Sequence, residues 1–305
     1  MSPKEKENFQ LIAQRMNSSS KKIIFRRRKN DFFRTLTLCA TGLAVLCLVL
    51  LIGKILWDGV PHINLKFLTS FVSRKPQEAG IKAALAGSFW LMALTSILII
   101  PLGIGSAIFI QEYLPAKSRL KRLLILNLSN LSGLPSIIYG LLGLTIFVKT
   151  FNWGGSLLSA ALTMTLLVLP TIVITSVEAL KAVPKNLREA GYALGARKWQ
   201  VILGTVIPSA IPGILTGLIL ATSRAIGEAA PLIVIGGLSF VAFVPQGPMD
   251  QFTALPLQIF NWASRPQQEF HNLAAAGIVI LIAMLLSFNI ISILLRYYYG
   301  NKTKL

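Results

Sequence analysis

Acidic residues are scarce in this chain: 11 Asp and Glu stand against 30 Lys and Arg, and charged residues of both signs make up only 13% of its 305 positions. A soluble domain carries about 25% charged residues, so a soluble globular protein is excluded. Cysteine is nearly absent too. Cys39 and Cys47 lie in one apolar run, eight positions apart, and read as small hydrophobes rather than a disulfide or metal pair. The two histidines, His62 and His271, are far apart and have no carboxylate or cysteine neighbours at metal-ligand spacing. The sequence has no G-x-x-x-x-G-K-[ST] phosphate loop; Gly300-Asn301-Lys302-Thr303 lacks both the spacing and the following helix. With no catalytic cluster, the chain is expected to hydrolyse nothing and to hold no cofactor or metal of its own.

What is abundant is apolar sequence, 54% of the chain, together with a formal net charge of +19. That charge does not point to nucleic acid, because Arg and Lys cluster between apolar runs of membrane-spanning length. Six such runs, at about 35–57, 84–110, 123–148, 157–177, 209–236 and 272–295, are each long enough to cross ~30 Å of hydrocarbon as a helix. The expected fold class is therefore an all-α integral membrane protein with six transmembrane helices. If the N-terminus lies inside, segments 1–34, 111–122, 178–208 and 296–305 are cytoplasmic and hold 22 of the 30 Lys and Arg, against 5 in the outer segments. This bias orients the chain with both termini in the cytoplasm. The basic tail, 1–34, has no small-x-small cleavage site beyond the first run and reads as a retained, partly disordered segment near anionic headgroups. Topological charge with no further role is the plainer reading of it.

Prolines recur in the runs, at Pro101, Pro135, Pro170 and Pro231, with Pro212 near the start of the fifth. They suit kinked spans whose freed backbone groups are satisfied by neighbours. Gly213-x-x-x-Gly217 allows two helices to approach closely.

Two places carry chemistry. Arg224 and Glu228 fall deep in the fifth run, one helical turn apart. Either charge alone costs on the order of 3 kcal/mol in a membrane, and at i and i+4 the two neutralise each other. Such a pair fits a translocation route on which Arg224 meets an oxyanion through two parallel N–H···O bonds; it also fits a self-satisfied structural ion pair. In the third run Ser129, Ser132, Ser136 and Tyr139 recur near helical spacing, either as a polar stripe facing a water-filled path or as hydroxyls bonded back to their own helix. Glu112 and Glu178 flank span ends and read as solvated.

The other stretch is Glu189–Pro208, EAGYALGARKWQVILGTVIP, amphipathic and set between apolar runs. Pro184 suits a helix start, Ala190, Gly191, Ala193 and Leu194 leave a face of little bulk, and Gly195 suits a left-handed stop. A second short helix, from about Lys198 to Thr205, would carry Trp199, Val201, Ile202 and Val206 on its apolar side. Two short helices with a bare small-residue face make a docking surface for another protein.

The spacing Glu189-Ala190-Gly191, three residues, Gly195, nine residues, then Thr205-Val206-Ile207-Pro208 closely resembles the EAA loop of ABC-importer permeases. Gly191 stands where alanine is usual, and Thr205 and Ile207 where isoleucine and leucine are usual. Further stretches resemble the PstA-type phosphate branch of that family: Pro101–Gly105 through Glu112-Tyr113, Leu134–Gly140, Arg224–Leu232, and Leu255–Pro266. The likeness covers about residues 35–296. It implies the type I importer permease fold, with an accessory first helix at 35–57 and a five-helix core at 84–295 that contains the cytoplasmic coupling loop 178–208. It further implies a phosphate permease subunit in a bacterial inner membrane, paired with a homologous PstC-type subunit. Two copies of an ABC ATPase holding ATP and Mg²⁺ would dock through Glu189, Ala190, Gly191, Leu194, Gly195 and Pro208, and an extracytoplasmic binding protein would deliver phosphate. The substrate pathway would include Arg224, Glu228, Ser132, Ser136 and Tyr139. A permease for sulfate or molybdate would share loop and topology. A stand-alone secondary transporter would need coupling carboxylates within its spans, where Glu228 is alone.

Overall fold

The structure, a computed structural model, describes residues 3–237 and 240–302. The chain divides into two compact units, residues 1–55 and residues 56–305. The first is a single helix, part of α1 (Pro3–Gly59). That helix runs back through the basic segment expected to be partly disordered, and contains the first apolar run. The side chains expected to meet headgroups at Lys21, Lys22, Arg26, Arg27 and Arg28 lie outside the described residues.

The second unit begins with an outer segment carrying the short α2 (Leu65–Thr69), whose Asn64 cap accepts from the Phe67 N–H at 2.8 Å. Phe67 and Ile81 are buried, and Phe67 lies 5.9 Å from the fully buried Trp262 ring, so this segment belongs to the core. Then come α3 (Lys82–Ile108), α4 (Arg119–Ser132), α5 (Ser136–Gly143), α6 (Leu157–Ala182), α7 (Lys185–Ala193), α8 (Lys198–Val201), α9 (Ile207–Gly227), α10 (Ala230–Ile235), α11 (Leu255–Ala263) and α12 (Gln268–Lys302). Wide π turns at Phe109–Tyr113, Leu144–Thr150 and Ile202–Val206 extend α3 and α5 and join α8 to α9.

Helix α6 is the centre. It is apolar nearly all round, as a helix enclosed by others must be, and Leu157, Ala160, Ala161, Ile172 and Leu180 are wholly buried. Its neighbours reach it through missing side chains. A Cβ on Gly213 of α9 would stand 2.7 Å from that of Ala179, and one on Gly217 would strike Thr175. The G-x-x-x-G spacing therefore seats α9 on α6.

Among the described residues five helices have the length and apolarity to span a membrane: Lys29–His62, Lys82–Tyr113, Leu157–Ala182, Lys198–Gly227 and Gln268–Tyr298. The third run departs from expectation. It is not one helix but two, Arg119–Ser132 and Ser136–Thr150, bent by 101°. Pro135 disfavours helical backbone at Leu134, and Gly133 ends α4. The 14 residues of α4 reach only ~21 Å at the helical rise, so a sixth crossing is counted only where the two halves form one bent span. The fifth run breaks as well. α9 stops at Gly227, Glu228 is extended with φ −82° and ψ 119°, and α10 restarts with Pro231 in its first turn. Pro101, Pro170 and Pro212 do lie inside helices, whereas Pro135 and Pro231 begin them.

Candidate functional site: the broken fifth span and the 185–208 segment

Because the fifth run breaks, Arg224 and Glu228 do not share a helix. Arg224 occupies the last turn of α9, where the carbonyl end of the helix dipole favours a cation, and Glu228 is the residue that caps it. They still meet, but through one long contact, Arg224 Nε to Glu228 Oε1 at 3.5 Å. The Nη groups of Arg224 make no hydrogen bond among the described residues. Its side chain is 36% exposed and that of Glu228 21%. Next to it in the chain, Ser223 Oγ donates to Asn289 Oδ1 at 2.9 Å, tying α9 to α12.

The serine and tyrosine stripe does not survive as a stripe, since Ser132 and Ser136 lie on opposite sides of the bend. Ser132 Oγ donates back to the Ser129 carbonyl at 2.7 Å. Tyr139 is buried, and its hydroxyl donates to the Leu131 carbonyl at 2.8 Å, an oxygen that also accepts from the Leu134 N–H at 3.1 Å. The two broken spans touch, because a Cβ on Gly140 of α5 would approach the Pro231 Cα of α10 to 2.8 Å. The α5 turn that carries Tyr139 is thus packed against the start of α10, just past the Arg224–Glu228 break, with Ser136 one turn away at the start of α5.

The 185–208 segment forms two short helices, as expected. α7 ends in a Schellman motif: Gly195 has φ +80°, its N–H donates to the Tyr192 carbonyl at 2.9 Å, and the Ala196 N–H donates to Gly191 at 3.2 Å. Beyond it Val201, Ile202 and Val206 are buried. Val201 and Val206 join a cluster with Ile110, Val177 and Leu180. Trp199 does not join them; it is 52% exposed. Gly191 also differs from expectation. A Cβ there would stand 2.9 Å from Val201 Cγ2, so this glycine packs α7 onto α8 rather than lying bare. The outward face carries Glu189, Ala190, Tyr192, Leu194 and Gly195, with Leu194 89% exposed. Pro208 is half-buried in the first turn of α9.

Glu112, read as solvated, is the clearest correction. Only 7% of its side chain is exposed, and it forms a two-pronged ion pair with Arg188 of α7, Nη2 to Oε1 at 2.7 Å and Nε to Oε2 at 3.3 Å. Arg188 also donates to the carbonyls of Leu180 and Val183 at 2.8 and 2.7 Å. No local spacing could reveal this, since the partners are 76 residues apart. Glu178, by contrast, is exposed and paired with Lys181.

The profile described as "Binding-protein-dependent transport system inner membrane component" matches residues 99–304. "Probable ABC transporter permease protein YqgI" of Bacillus subtilis (strain 168) is 36% identical over 244 residues, 79% of this chain and 82% of that protein. "Phosphate transport system permease protein PstA" of Yersinia pestis is 32% identical over 287 residues, 91% of this chain and 93% of that one. Among solved structures, a chain of the bacterial alginate ABC transporter in complex with its alginate-bound periplasmic protein superposes with a TM-score of 0.62 at 15% identity, covering 86% of this chain and 94% of that one. The match spans well over half of the sequence, and the chain belongs to the inner membrane components of binding-protein-dependent transport systems, the permease subunits of ABC importers.

Proposed function

We propose that this permease carries inorganic phosphate across the bacterial inner membrane, as one of two homologous transmembrane subunits driven by ATP. The observation that carries the reading is the half-satisfied Arg224. Its guanidinium is held by Glu228 through Nε alone, leaving the planar Nη end open in a span where an unused charge is costly. A tetrahedral oxyanion fits that fork, and Glu228 keeps the cation compensated between passages. Relatives named as phosphate permeases, 30–32% identical over most of their length, support the choice of anion.

The permease class supports a partner permease, an ATPase and a binding protein in general. With phosphate as the cargo, the partners in this reading are a PstC-type subunit, two copies of an ATPase that hold ATP and Mg²⁺, and an extracytoplasmic phosphate-binding protein. The 185–208 segment faces the cytoplasm and docks the ATPase with Glu189, Ala190, Leu194 and Gly195. The exposed Leu194, Tyr192 and Trp199 give that contact the apolar patch an interface requires.

The test is radiolabelled phosphate uptake by the assembled complex in lipid vesicles, with unlabelled phosphate, sulfate and molybdate as competitors. Only phosphate should compete. Equal competition by sulfate or molybdate would move the assignment to another oxyanion.

A further inference from the structure

The residues that end α3 have a role that neither docking nor anion binding uses. Three consecutive side chains of the Phe109–Tyr113 turn each hold a cation from a different element. Gln111 Oε1 accepts from Lys121 Nζ of α4 at 2.8 Å. Glu112 is paired with Arg188 of α7. The Tyr113 ring lies 4.8 Å from Lys198 Nζ of α8. The turn itself is a π turn, a local widening that often marks a functional point in a helix.

These contacts differ in strength. Lys121 and Lys198 are single, flexible attachments. The Arg188–Glu112 pair is buried and two-pronged, and Arg188 fastens at the same time to the last carbonyls of α6. One guanidinium thus joins the helix beside the ATPase contact to the ends of the second and fourth spans. Among the described residues no comparable ion pair links α7 to α9, although α8 and the turn at Ile202–Val206 lead into it.

We propose that Arg188 and Glu112 are positioning residues that make α7 and the end of α3 one rigid body, so that displacement of the docking segment is delivered to the second span. Apolar packing around Ile110 and Val201 holds the segment in place but lets it slide; the fork fixes its direction. This rests on the reading of 185–208 as the ATPase contact. Leu194→Asp, which should release the ATPase from the purified complex, checks that reading separately.

The experiment uses the whole complex in lipid vesicles, with Cys39 and Cys47 replaced. Arg188→Gln and Glu112→Gln should retain the ATPase and hydrolyse ATP, yet move phosphate with roughly fivefold or more fewer ions per ATP. Glu112→Cys with Arg188→Cys should be equally uncoupled, and a short bifunctional thiol reagent should restore coupling in the same sample. The pair borders a groove of about 370 Å³ through which such a reagent can enter. Because that comparison is made before and after cross-linking of one preparation, a folding defect in the Gln variants does not obscure it. Unchanged phosphate per ATP in the cysteine pair before cross-linking, or cross-linking that blocks transport, would overturn the proposal.

Discussion

Arg188 uses its donors on Glu112, Leu180 and Val183, whereas Arg224 holds Glu228 by Nε alone. The difference predicts different responses to the same change. Arg224→Lys keeps the charge but loses the planar fork. One charge-assisted bond, worth about 1.5–3 kcal/mol, should then disappear from anion binding, so the phosphate concentration for half-maximal uptake should rise by roughly ten- to a hundredfold, measured at matched protein level. Arg188→Leu should instead lower thermal stability by about 3–5 kcal/mol, the cost of stranding a buried Glu112. Tyr139 separates its two roles in the same way. Tyr139→Phe removes one donor from the Leu131 carbonyl, which keeps the Leu134 N–H, and about 0.5–1.5 kcal/mol of stability should go with it, seen as a lower midpoint in a thermal shift assay. An unchanged midpoint with a changed phosphate dependence would make the hydroxyl a pathway group.

The short helices α7 and α8 were legible because their signals are local: a proline before the first and a glycine between them. Gly195→Ala should cost about 1 kcal/mol, since only glycine takes φ +80° cheaply. Gly191 was legible as important but for another reason than its geometry shows. Gly191→Leu should overpack against Val201 and cost about 1–3 kcal/mol, with the ATPase still bound through Leu194. Circular dichroism melts and co-purification of the ATPase would check both. The two breaks were harder to see. Gly133-Leu134-Pro135 and Glu228-Ala229-Ala230-Pro231 carry the marks of interruption, but continuous apolarity on both sides reads as one span, and hydropathy is blind to direction. The Arg188–Glu112 pair was not legible at all, because only the packing of α3 against α6 brings two such distant positions together.

Across the whole molecule, the charge count and the apolar runs determine the class, and composition alone excluded the soluble alternatives. The orientation we propose rests on where Lys and Arg lie. In intact spheroplasts, with Cys39 and Cys47 replaced, Ser264→Cys should react with an impermeant thiol reagent added outside and Lys185→Cys should not. What hydropathy could not supply is the substrate, which depends on a few polar groups where two broken spans meet. That dependence can be put to one measurement: phosphate uptake by the assembled complex carrying Arg224→Leu together with Glu228→Leu. Removing both charges relieves the membrane of their cost, so this variant should insert and assemble as the parent does. Its uptake should fall to the level of vesicles without ATP; uptake equal to the parent at matched protein would mean that Arg224 does not meet the anion.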